Sequence, residues 1–122
     1  MYIVDIKDQV KANNNFRKVL HTGTHSQIVA MCIAAGEDIG METHETTDQM
    51  LFIVQGKGAA VLNGEKQSFD KHDVIFVPAG TEHNFINDGD EPLKLFTVYA
   101  PPDHPDGTVQ ATKADAEKEE GS

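Results

Sequence analysis

Glu42 and His44 stand two residues apart in a stretch rich in β-forming side chains, and in an extended chain residues two apart share a face. Their carboxylate and imidazole therefore point the same way. Farther on, His83, Phe85 and Asn87 share one face of another short run, and Gln49, Leu51 and Ile53 share one face of the run between. Two imidazoles, one carboxylate and one amide oxygen can thus converge from three strands. Such a set satisfies a divalent ion: imidazole nitrogen suits Zn, Fe, Ni and Mn, and one carboxylate offsets part of the ion's charge. An ion left with net positive charge can polarise a substrate carbonyl or hydroxyl, or acidify a bound water. On periodicity alone a Glu-x-His pair with one distant His is a common pattern, and the competing reading is a polar network around water.

Other side chains with chemical potential read more simply. Asp48 alternates away from Gln49 and is expected to face outward or cap the strand. His25 and Gln27 share one face and could line a pocket mouth, although a surface His is the plainer reading. His21, before Thr22 and Gly23, reads as a turn neighbour. His104, within Pro101-Pro102-Asp103-His104-Pro105, could fold back as a lid, but a proline-stiffened segment running over the surface is the expectation. The lone Cys32, within the apolar run 28–34, reads as a buried structural thiol.

The elements that must hold these residues are β-strands. From Gln27 onward the sequence is a series of short β-branched and aromatic runs punctuated by Gly, Asn, Asp and Pro, which predicts an all-β sandwich or barrel. Strands are expected at 26–34, 40–44, 49–55, 58–62, 65–69, 74–77, 83–87 and 94–99, a number that suits a jelly roll. No sustained helical period is present. Asn63-Gly64 predicts a type I′ hairpin, because both central residues must take positive φ. The segment 16–20 could add an edge strand or cross to a neighbouring subunit. Met50, Phe52 and Val54 make the second face of their strand apolar as well, so a covered outer face, and with it a homodimer, is expected.

Length and composition bound the function. The 122 residues suit one core, 39% are hydrophobic and 25% charged, and no apolar run is long enough to span a bilayer. The N-terminal residues lack the basic and apolar regions of a secretory signal, so a cytoplasmic location is expected. A net charge of −10, with only ten scattered Lys and Arg, argues against a nucleic-acid partner and leaves a small molecule as the expected one. Residues 103–122 hold six acidic and two basic side chains, so 1–103 is read as the domain and 104–122 as a solvated, flexible acidic tail without an apolar face for docking.

Over residues 36–87 the spacing resembles the cupin family. Its first motif, G(X)5HXH(X)3,4E(X)6G, is met by Gly36, Glu42-Thr43-His44, Gln49 and Gly56; its second, G(X)5PXG(X)2H(X)3N, by Pro78-Ala79-Gly80, His83 and Asn87, with His72 at the first Gly. Fifteen residues, 57–71, separate the motifs. The resemblance implies a double-stranded β-helix, the cupin barrel, with one divalent metal ion (Zn, Mn, Fe(II) or Ni) held by Glu42, His44, Gln49 and His83. Glu42 replaces the first His of the usual set and Gln49 its Glu, so the single negative charge has moved to another corner. The set is similar in type to the Gln, His, Glu and His of phosphomannose isomerase cupins. It implies an enzyme acting on a sugar, sugar acid or dicarbonyl, with Glu42 as the proton-transferring base. Isomerase or lyase chemistry is favoured over dioxygenation, and a binding module without turnover is the alternative class.

Overall fold

The computed structural model describes residues 1–120. Helix α1 (Ile6–Ala12) is followed by β1 (Arg17–Thr22), β2 (Gln27–Ile33), β3 (Glu42–Thr43), β4 (Asp48–Gln55), β5 (Gly58–Leu62), β6 (Glu65–Phe69), β7 (Val74–Val77), β8 (Glu82–Ile86), β9 (Leu93–Ala100), β10 (Val109–Gln110) and α2 (Lys113–Glu120). A six-stranded sheet, β10-β1-β2-β9-β4-β7, faces a four-stranded one, β3-β8-β5-β6, and every pairing is antiparallel. This is the expected all-β jelly roll. The core between the sheets is built from the inward alternation of Val29, Met31 and Ile33, of Leu51 and Ile53, and of Leu93 and Leu95, against Phe85 and Ala60.

Turn chemistry sets the register. Asn63 (φ 48°) and Gly64 (φ 83°) form the expected hairpin, and Leu62 pairs with Glu65 across it. His72, standing where the resemblance expects glycine, takes φ 77° in the turn before β7, the left-handed conformation that favours glycine. The amide of Gly80 (φ 82°) donates to the carbonyl of His44 at 2.8 Å, tying the Pro78-Ala79-Gly80 turn to the strand that carries Glu42.

One open choice is decided, and two features depart from the sequence-based reading. Residues 17–22 form a strand inside this subunit's own sheet, paired to β2 and β10. Helix α1 is an additional element: Asp5 caps it by accepting from the Asp8 amide, and Val10 is its one buried residue, so it carries no apolar period to read. The reading of 104–122 as a solvated tail is corrected for residues 104–120. There β10 pairs with β1, Gln110 and Ala116 are buried, and Lys113 forms an ion pair with Asp38. The docking runs through a buried amide, one alanine and an ion pair instead of an apolar stripe, so hydrophobic patterning could not announce it.

Outside the larger sheet, Phe52 stacks on Phe96 with centroids 4.7 Å apart, and Val74 and Phe76 are 58% and 52% exposed. Among the described residues, no helix is long and apolar enough to cross a membrane.

Candidate metal centre

Glu42 and His83 are directly paired across β3 and β8, which brings a carboxylate and an imidazole from strands far apart in sequence to one place. His44 follows Glu42 by two residues and points the same way, as alternation requires. One ligand atom from each of Glu42, His44 and His83 lies within 4.8 Å of the other two. His44 Nε2 is 3.1 Å from Glu42 Oε2. Two donors each about 2.1 Å from one ion stand roughly 3.0–3.4 Å apart, so this separation already suits a shared metal.

The ring orientations agree with that use. His83 Nδ1 lies 2.8 Å from the carbonyl oxygen of Thr81, and a carbonyl only accepts, so Nδ1 carries the proton and Nε2 keeps its lone pair. His44 turns Nδ1 toward Asp103 Oδ1, at 3.5 Å, and Nε2 toward Glu42. Metal-binding histidines are typically fixed in this way by an oxygen on the far nitrogen.

Gln49 reaches the same interior from β4. It is 3% exposed, its amide nitrogen donates to the Tyr99 hydroxyl at 3.3 Å, and its Oε1 is buried with no hydrogen-bond partner. His44 Nε2 is likewise buried, with the Glu42 carboxylate beside it. A buried acceptor left unpaired is costly, and a cation would satisfy Gln49 Oε1. The residues present therefore fit a divalent ion, with Glu42, His44 and His83 as the gathered donors. Asn87, the fourth polar residue of the second motif, does not join them. Its amide donates to the carbonyls of Ile33 and Glu91, each at 2.9 Å, and accepts from the Gly89 amide, so it pins a turn.

The charges are mutually adjusted. Burial pushes the Glu42 carboxyl up, but the hydrogen bond and charge of His44, with Arg17 and His83 beyond, outweigh it and hold the group below the usual carboxylate range. The Glu42 hydrogen bond raises the His44 imidazole, against burial, and Asp103 adds to the rise. Burial pushes the Tyr99 phenol far up.

Four residues of this interior were not assigned to it from sequence. Tyr99 lies in one row with Gln49 and Gln27 across β4, β9 and β2, so strand pairing would have found it once the sheet order was known. Arg17 is buried on β1, where its Nη1 donates to Gln110 Oε1 at 2.6 Å. Asp103 and His104 come from the proline-rich segment after β9. The expectation that this segment runs over the surface is overturned, because Gln27 binds its backbone. Gln27 Nε2 donates to the His104 carbonyl at 2.7 Å, and Gln27 Oε1 accepts from the amides of His104 and Asp103. His104 packs edge-on to Tyr99 with centroids 5.1 Å apart. Burial, with the Arg17 charge, lowers its imidazole to about 4, so it is neutral at pH 7.

The remaining candidates lie elsewhere. Asp48 caps the turn before β8 by accepting from the Ala79 amide at 2.9 Å. His25 is exposed, and His21 stacks on Tyr2. Burial pushes the Cys32 thiol up, which suits a structural role.

Comparison with known proteins gives a consistent picture. Residues 29–99 match the family model described as "Cupin domain". YrkC of Bacillus subtilis is 48% identical over 122 residues, covering 94% of this chain, and the chain spans 65% of that protein's length. L612 of Acanthamoeba polyphaga mimivirus is 34% identical, covering 93% of this chain and 73% of that one. The crystal structure of BH2720 from Bacillus halodurans superposes with a TM-score of 0.95 at 42% identity, covering 96% of this chain and 93% of that chain.

Proposed function

The chain belongs to the cupin family, and from that membership we propose that it is a metal-dependent enzyme acting on a small oxygenated molecule: a sugar, a sugar acid or a dicarbonyl. The observation that carries this reading is the gathering of Glu42, His44 and His83 within 4.8 Å, with the far nitrogen of each imidazole turned to an oxygen. We assign Gln49 as the fourth ligand, through its unpaired Oε1. The ion, whether Zn, Mn, Fe(II) or Ni, would polarise a substrate oxygen.

The chain's own residues supply the rest. Glu42 holds its charge at neutral pH and its side chain keeps 26% exposure, so it can take a proton from a molecule at the barrel mouth. Phe85, fully buried with its ring 5.7 Å from that of His83, sets an apolar wall beside the centre. One carboxylate and an amide in place of a third imidazole favour redox-neutral isomerase or lyase chemistry over dioxygenation, by likeness in donor type to the isomerase cupins. Cytoplasmic location and a homodimer closed over the apolar outer face complete the proposal.

Metal analysis of untagged protein after reconstitution with each of the four ions tests the premise: near one equivalent is expected, and less than about a tenth of an equivalent for all four overturns it. NMR of sugar phosphates and uronates, beside oxygen-electrode assays on dicarbonyls, then separates the reactions. Oxygen uptake would replace the isomerase or lyase reading with a dioxygenase, and no turnover of any substrate would leave a binding module.

A further inference from the structure

Beyond the metal ligands, the same interior holds a group with no structural duty. The segment that follows β9 is fastened at the barrel mouth by one side chain: Gln27 both donates to and accepts from the backbone of His104 and also takes the Asp103 amide, while its own Nε2 reaches Thr22 Oγ1 at 2.9 Å. Gln27 is 1% exposed, so this anchor is built into the wall of the barrel. Through it, Asp103 comes to stand between two histidines, with Oδ1 3.5 Å from His44 Nδ1 and Oδ2 3.5 Å from His104 Nε2.

The His104 ring is held on its other side by Tyr99, which also packs edge-on against His44 with centroids 5.8 Å apart. The His104 side chain is 13% exposed, and its Nε2 is buried with no hydrogen-bond partner. A structural histidine would have both nitrogens satisfied. This one is held by its backbone and packed by an aromatic ring, and its Nε2 makes no hydrogen bond, with only the Asp103 carboxylate near it at 3.5 Å.

We propose that His104 is a substrate-contacting residue: its Nε2 meets one oxygen of a chelating oxygen ligand whose other oxygen lies at the Glu42, His44 and His83 centre, and Gln27 and Asp103 are the residues that position it. The inference rests on the metal-centre reading above and adds the recognition element that the ligand triad lacks. It also narrows the substrate class to molecules carrying a second oxygen, since a single-oxygen ligand could not meet both places.

The test uses the full chain loaded with Co(II), whose visible bands report both metal binding and changes in coordination, with acetohydroxamate as a bidentate oxygen probe. His104→Ala is expected to keep Co(II) affinity within about twofold of the parent while weakening acetohydroxamate by about tenfold, the loss of one hydrogen bond. His104→Gln, which retains a polar head at that place, is expected to recover part of the loss, and Gln27→Ala, which releases the segment without altering the ring, to reproduce it. Equal acetohydroxamate affinity in the parent, His104→Ala and Gln27→Ala overturns the proposal, as does a Co(II)-loaded parent that takes no acetohydroxamate. Loss of Co(II) itself from both His104 variants, with circular dichroism unchanged, would make His104 a metal ligand and overturn it in a different way. Failure of the parent to bind Co(II), Zn, Mn, Fe(II) or Ni would overturn the metal centre, a result distinct from any change confined to the His104 variants.

Discussion

The Nδ1 of His83 lies 2.8 Å from the main-chain oxygen of Thr81, two residues earlier and just ahead of β8, and this contact decides which nitrogen faces Glu42 and His44. The carbonyl holds the proton on Nδ1, so the ring presents an unprotonated Nε2 to the interior. Replacing His83 or His44 with Ala should therefore abolish stoichiometric metal binding, whereas Gln49→Ala, which removes a neutral oxygen, should weaken it by roughly tenfold to a hundredfold. Competition titration against a chromophoric chelator measures all three, and parent-like affinity in all three variants would show that the centre lies elsewhere.

The ion pair between Lys113, at the start of α2, and Asp38 gives a pH dependence whose sign is fixed. The Lys113 hydrogen bond and charge, with the Asn84 amide, hold the Asp38 carboxyl below its usual range, against a smaller effect of burial. A carboxyl lowered in the folded state contributes stability above its unfolded value of about 3.9 and loses it as pH falls through the lower, folded value. The difference in melting temperature between the parent and Asp38→Asn should be constant from pH 7 to about 5 and should vanish in stronger acid. A difference that grows toward acid would contradict the assignment.

Gly58 opens β5, between β8 and β6 of the smaller sheet. A Cβ there would stand 2.1 Å from the Ile86 carbonyl oxygen and 2.8 Å from the Phe69 ring, and the nearer atom is backbone that cannot swing aside. Gly58→Ala should cost about 1–3 kcal/mol or more in urea unfolding, while Gly89→Ala, whose Cβ would meet nothing closer than 3.5 Å, should cost less.

Val74 and Phe76 offer exposed apolar surface beside half-buried Met50, Phe52 and Val98 on the outside of the larger sheet. If a second copy covers this face, sedimentation velocity of the parent should show a dimer, and Phe76→Lys should shift it toward monomer with an unchanged circular dichroism spectrum. A monomeric parent at micromolar concentration would remove the homodimer from the proposal.

What the sequence determined by itself follows from short-range rules. Alternation placed Glu42 beside His44 and turned Leu51 and Ile53 inward; Asn63-Gly64 set a hairpin; and the spacing around Pro78 and Gly80 put His83 where β8 could present it. These are properties of neighbouring residues, so a linear reading reaches them. Tertiary structure alone decided that His83 pairs with Glu42, that Tyr99 lies in a row with Gln27 and Gln49, and that Asp103 and His104 turn back over the mouth. Those contacts depend on sheet order and on a single buried amide, Gln27, recognising a backbone 77 residues away. A hydrogen bond between a side chain and a distant main chain leaves no period and no composition bias. For that reason the grouping of Glu42, His44 and His83 is legible in the sequence, whereas the place of His104 beside Asp103 and Tyr99 is not.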